Sequence, residues 1–329
     1  MSFPYLPLDL FALRGKTLSV AEATAIQASL TVLSAKSKSK VRFWGKISGF
    51  QGEYHVAEVL VDGTFGQRNL YYSVDGGVNW VALPILTPDQ VEFCEQLRGR
   101  FIGQPDYLYK IRRDVPPEPE VLPELPADDD KGEEEEEQDG EDAAAEEKEE
   151  GDDVQLETVA EDEAGEEDKA PKKQKPKFQI ISLPEACRVA HFVTIHNKSC
   201  LLVPRGSNVL KLPARNMVPN RTFAGLSVDD AQKLSSYVHI RSEALDDVSA
   251  NKLTYGPTFH TTTDFLPSIT EDRPEGVWSL QYDASVGAVT LENLLFEGSV
   301  FFHKLGSPDY GQVYIGTGER NLDLCFVLP

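Results

Sequence analysis

This chain of 329 residues is poor in the features that usually advertise chemistry. It has only four cysteines, Cys94, Cys187, Cys200 and Cys325, and no two form a C-x-x-C pair, so the spacing encodes neither a disulfide framework nor a zinc ribbon. They read as reduced core thiols. No apolar run approaches the roughly 20 residues of a membrane-spanning helix. The opening MSFPYLPLDLFALRG lacks the basic start and continuous apolar centre of a secretion signal. A soluble, intracellular protein is expected, and the sequons at Asn197 and Asn220 are then accidental. There is no G-x-S-x-G, P-loop or H-E-x-x-H, and Gly316-Thr317-Gly318 is a lone G-x-G with eleven residues after it, too few for a βαβ unit. Enzyme activity has no positive support.

The scarcest property is positive charge between Asp114 and Ala170. That stretch holds 28 Asp or Glu against Lys131, Lys148 and Lys169, a formal −25 beside −22 for the whole chain, so the remainder carries +3. The low overall pI therefore describes one segment. With no Phe, Trp, Tyr or Ile and this density of like charge, the segment buries too little apolar area to offset its ordering entropy, and disorder is expected. Lys169, Lys172, Lys173, Lys175 and Lys177 follow, interleaved with Pro171 and Pro176. They have the look of a nuclear-import or nucleic-acid patch, but no aromatic stands among them to stack a base, and a basic brake beside the acids is the plainer reading.

Ser19 and Glu22 form a capping box, and Ala23, Ile26, Leu30 and Leu33 continue at helical spacing. From Val41 the period becomes two, with Val41, Phe43 and Ile47 expected on one strand face and Arg42, Trp44 and Lys46 on the other. Residues 54–61, 70–74 and 78–82 extend this into an antiparallel meander that turns at 49–52 and 75–77. Thr87, Pro88, Gln90 and Gly99 bracket a short helix with Val91, Cys94 and Leu97 inward. A short strand is expected near 100–102. After the acidic stretch, strands are expected at 178–181, 190–195 and 200–203. A helix should span 227–241, with Val228, Ala231, Leu234 and Val238 inside. Four more strands follow around 278–282, 289–291, 300–303 and 312–315. Strands and helices run in segregated blocks, so the class is α+β: antiparallel strands with a few short amphipathic helices, interrupted by a long disordered acidic insertion. The expected organisation is one folded domain in two parts, 1–113 and 177–329, around an insertion at 114–176. Lengthening a short loop by about fifty residues costs only about 2 to 3 kcal/mol.

Cys187, His191, His196 and Cys200 place four ligand types within fourteen residues. Along a strand, His191 and His196 point to opposite faces and neither cysteine closes a metal loop, so no metal site is predicted. No catalytic or cofactor-binding residue is identified and no cofactor is expected.

Several segments carry a resemblance when taken together: RFWGKISG (42–49), NLYYSVDGGVNWVALP (69–84), RGRFIGQPDYLY (98–109), LLVPRG (201–206), NRTFAGLSVDDAQKLSSYVHIR (220–241) and YGQVYIGTGERNLDL (310–324). As an ordered set they resemble the radial spoke head protein nine family, which is similar to the larger radial spoke head proteins four and six. The acidic insertion lies outside these segments. The resemblance implies a non-enzymatic structural subunit of the radial spoke head of motile cilia and flagella. There it would scaffold spoke-head assembly and contact with the central pair, and so regulate dynein-driven motility. Implied partners are proteins four and six, spoke stalk proteins and central-pair proteins, with no nucleic acid and no membrane. Candidate partner-facing residues are Tyr237, His239 and Arg241, outside the inner stripe of the 227–241 helix, together with Tyr310 and Tyr314. The alternative, from the acidic run beside a basic patch, is a chaperone or adaptor for basic proteins such as histones.

Overall fold

The computed structural model describes residues 8–61, 68–114, 178–211, 216–240 and 266–327. The acidic run beyond Asp114, the lysine cluster through Lys177, and Arg241 lie outside them.

After the short helix α1 (Leu8–Ala12), α2 (Val20–Ser37) starts at the predicted capping box. Ser19 Oγ accepts the Glu22 amide at 3.2 Å, and the Glu22 carboxylate accepts the Ser19 amide at 2.9 Å. Strands β1 (Lys40–Ser48), β2 (Glu53–Leu60), β3 (Arg68–Ser73) and β4 (Val81–Ala82) form the antiparallel meander. α3 (Pro88–Gln96) is capped by Thr87 and Gln90 as its sequence predicts, with Phe93 and Cys94 as its buried residues. Residues 100–102 are not a strand, although the Phe101 and Ile102 carbonyls accept the Phe50 and Gln51 amides. β5 (Leu108–Asp114) and β6 (Phe178–Pro184) make a two-stranded sheet. Then come α4 (Glu185–Cys200), β7 (Leu202–Pro204), the hairpin β8 (Asn208–Lys211) with β9 (Asn216–Pro219), α5 (Val228–Ala231), and β10 (Tyr237–His239), which pairs with β7. A second meander, β11 (Trp278–Asp283), β12 (Ala288–Asn293), β13 (Ser299–Lys304) and β14 (Tyr310–Gly316), precedes α6 (Leu324–Val327). The class is α+β.

The two meanders join into one eight-stranded sheet, ordered β11-β12-β13-β14-β1-β2-β3-β4. Every pairing is antiparallel except β1 with β14, where Gly45 lies opposite Tyr314. A Cβ on Gly45 would sit 2.1 Å from the Tyr314 carbonyl oxygen, so only glycine fits the junction. The described residues within 1–109 and 183–329 cluster as one compact unit.

The register of β1 shifts between Phe43 and Gly45, and this bulge corrects the expected faces of the strand. Phe43 packs on one side with Phe11, Leu18, Ile26, Val300, Phe302 and Val313, under α1 and α2. Trp44 and Ile47 both face the opposite layer, with Val189, Ala190 and Val193 of α4 and with Phe301 and Tyr314. Two further expectations are corrected. Residues 190–195 are helical, inside α4, where burial extends nearly all round (Val189, Ala190, His191, Phe192 and Val193 are all buried) and so erases the periodicity that separates helix from strand. The predicted 227–241 helix is a single turn: Ser227 caps it, but Val228 is exposed, a 3-10 turn follows at Leu234–Ser236, and Tyr237–His239 leave as β10. Pairing with β7 overrides the helical spacing there.

Candidate partner interface

Three of the residues nominated as partner-facing belong to the chain's own core. Tyr237 is fully buried, its hydroxyl donates to the Ala231 carbonyl at 2.8 Å, and its ring meets Phe301 edge-on at 5.6 Å. His239, also fully buried, places Nε2 2.7 Å from Asp272 Oδ2, a carboxylate that accepts Trp278 Nε1 at 2.8 Å as well. Tyr314 accepts the Gly318 amide on its hydroxyl at 2.8 Å and stacks among Trp44, Phe192 and His196, and burial raises its pKa. β10 is buried along its whole length and Tyr314 faces the core, and the large ring area buried offsets the cost of taking each polar tip to an internal partner. Tyr310 is half-buried, stacked 6.2 Å from Phe301.

Two buried carboxylates fix α4 against the first meander. Glu185 is fully buried and accepts five hydrogen bonds: Tyr54 Oη (2.6 Å) and the Gly103 and Gln104 amides (2.7 and 3.2 Å) on Oε1, and Tyr109 Oη (2.5 Å) and the Ile102 amide (2.8 Å) on Oε2. Burial pushes its pKa up, but these donors outweigh burial and hold it below the usual carboxylate range. Arg188, one turn on, donates to Tyr109 Oη at 2.9 Å and to the Gly99 carbonyl, and stacks 4.4 Å above Phe101. Glu58 receives Asn197 Nδ2 and Arg42 Nη2, each at 2.5 Å, while Asn197 Oδ1 accepts Trp44 Nε1 at 2.8 Å. Burial raises the Glu58 pKa, but Arg42, Arg68 and Asn197 overcome it and leave the carboxyl depressed. The Asn197 amide is thus committed to the core.

Cys187, His191, His196 and Cys200 do not converge. Cys200 and His196 point into the sheet-facing core, where burial lowers the His196 pKa to about 3. His191 lines a cleft of about 780 Å³ with Cys94, Arg98, Phe101, Phe296 and Arg320. Burial pushes the Cys94 thiol to about 12 and the His191 imidazole down, so at neutral pH the cleft presents neither thiolate nor imidazolium. Among the described residues no group of three or more His, Cys, Asp or Glu is placed to hold a metal ion. Cys94, Cys187 and Cys200 are buried as expected, while Cys325 is exposed. No described helix is long and apolar enough to cross a membrane.

Part of what the chain presents outward is apolar. Val74, Val78, Val81 and Ile85 are 52, 54, 54 and 94 % exposed along one segment that includes the terminal strand β4. The turn holding that segment is the one expected at 75–77, and SVDGGVNW also encodes the hydrogen bonds that hold it. Asp75 accepts the Val78 and Asn79 amides at 3.2 and 3.0 Å, Asn79 Nδ2 at 2.6 Å and the Ser73 hydroxyl, and Ser73 Oγ accepts the Gly77 amide at 3.1 Å. Slight burial raises the Asp75 pKa, and these hydrogen bonds bring it to about 2. The exposed aliphatic side chains of this segment offer apolar surface for contact with a partner.

Comparison with known proteins points the same way. A family model described as "Radial spokehead-like protein" matches residues 8–69. A radial spoke head protein 9 homolog of Danio rerio is 30% identical over 323 residues, covering 98% of this chain and 97% of its own. Those of Homo sapiens and Xenopus tropicalis are each 28% identical and cover 98% of both chains. With identity sustained along nearly the whole of both chains, this chain belongs to the radial spoke head protein 9 family.

Proposed function

We propose that the chain is a non-enzymatic structural subunit of the radial spoke head in the axoneme of motile cilia and flagella. There it scaffolds the assembly of the head with its sibling subunits, proteins four and six, and supports contact with the central pair that regulates dynein-driven beating. Family membership over the whole chain carries the reading. The surface is consistent with it: the buried carboxylates Glu58 and Glu185 are committed to internal hydrogen bonds, and Val81 stands exposed on the edge strand of a sheet. Exposed strand edges supply main-chain hydrogen bonds for assembly. Cells lacking the gene, observed by high-speed video, should form cilia of normal length that are paralysed or beat stiffly, and the full-length gene should restore beating. Unaltered beating in such cells refutes the reading. No observation among the described residues favours the acidic chaperone.

A further inference from the structure

We propose that β4 is a docking edge for an extended, uncharged, apolar segment of another spoke-head subunit, which adds to the sheet as a ninth strand. This rests on the spoke-head reading and names the surface involved.

The main chain is turned the right way. The Leu83 amide donates to the Leu70 carbonyl at 2.9 Å, and Tyr72 lies opposite Val81. Hydrogen-bonded and non-bonded pairs alternate along an antiparallel ladder, so at the intervening pair, Tyr71 with Ala82, the Ala82 amide and carbonyl point away from β3. Among the described residues β4 ends the sheet order, so those groups face outward at an open edge.

The edge is short and ends at Pro84, but it carries no charged guard. Sheet edges are usually guarded by charged side chains, above all lysine. From Gly76 to Pro88 there is no ionisable side chain, in a chain where charged residues make up 26% of the total. Val78, Val81 and Ile85 stand on this same uncharged run and are more than half exposed. A charged or strongly polar segment would lose its hydration here without gaining a partner, so charge matching selects an uncharged one.

Finally, the edge is held rigid before any partner arrives. Trp80 Nε1 donates to Ser29 Oγ at 2.9 Å, and Ser29 Oγ donates to the Gly77 carbonyl at 2.5 Å, anchoring the turn to α2. The Asp75 cradle closes the other side of the turn. Such preorganisation lowers the entropy lost on docking. Pro84 has no amide hydrogen, so pairing beyond Leu83 is curtailed and the ladder is short. Side-chain contacts with Val81 and Ile85 then supply much of the affinity.

The test uses purified full-length chain added to axonemes from cells lacking this subunit, with rebinding measured against concentration. Wild type should rebind saturably. Val81→Lys and Ile85→Lys should bind at least about tenfold more weakly with an unchanged thermal midpoint, because both positions are exposed. Val20→Lys, at an exposed site on α2, should bind like wild type. Ala82→Pro removes the outward amide and should weaken binding too, with circular dichroism and the thermal midpoint checking that the ring has not disturbed β4 itself. On rebinding, hydrogen exchange at Ala82 should slow. Variants that bind as tightly as wild type overturn the docking edge while leaving the spoke-head reading intact. Failure of wild type itself to rebind overturns that reading and the edge with it. If the chain alone dimerises in solution and Val81→Lys abolishes the dimer, the occupant is a second copy and the proposal is wrong.

Discussion

Replacing Glu185 with glutamine should weaken the fold by about 2 to 4 kcal/mol. The carboxylate accepts five hydrogen bonds from three segments of chain, and its side chain is fully buried, so no water replaces a lost acceptor. Glutamine offers one oxygen in place of two. If that oxygen keeps the Tyr54, Gly103 and Gln104 contacts, the new NH₂ group faces the Ile102 amide and the Tyr109 hydroxyl, a hydroxyl already occupied by Arg188. At least one amide is orphaned, and the hydrogen bonds that remain lose their charge assistance, each loss being worth about 1 to 3 kcal/mol. For a folded part of this size the thermal midpoint should fall by about 4 to 16 °C. The pH dependence is the sharper check. The folded pKa of Glu185 lies below its ordinary value of 4.5, so its stabilisation is fully present above about 4.5 and is lost as pH falls through the folded pKa. The gap between the melting curves of wild type and Glu185→Gln should therefore be constant from pH 7 to about 5 and narrow below that. A gap that is absent at pH 7, or that widens in acid, refutes the assignment of Glu185 as an ionised hub.

Gly45→Ala should destabilise by more than about 4 kcal/mol, or leave the chain insoluble, because its Cβ collides with backbone at the parallel junction of the eight-stranded sheet; circular dichroism on heating checks this. Excising residues 128–168 should leave the thermal midpoint within about 2 °C, since a charged, apolar-poor run contributes no core, and calorimetry decides. A large drop would make the acidic run part of the fold.

Much of the fold was legible where local chemistry and tertiary structure agree. The Ser19–Glu22 and Thr87–Gln90 boxes cap real helices, and the alternation of Trp278, Leu280 and Tyr282 marks a real strand. Legibility failed where burial removed contrast. α4 is buried on nearly every side, so its apolar run resembled a strand. It failed again at Phe43–Gly45, where one bulged residue reverses the faces of β1, and at 227–241, where pairing with β7 ends a promising helix after one turn. The interface was the least legible part. Tyr237, His239 and Tyr314 carry polar tips that looked suited to partners, yet the Tyr237 and Tyr314 hydroxyls and His239 Nε2 each meet a partner inside the chain. The open edge at β4 had a signal available, the absence of charge from Gly76 to Pro88, but exposure becomes visible only once the register is known.

The most direct test of membership in the spoke head is tomographic averaging of axonemes from cells that lack this gene. The account predicts spokes whose stalks are present and whose heads lack density, restored by the full-length chain. Complete heads of normal shape in those cells would contradict it.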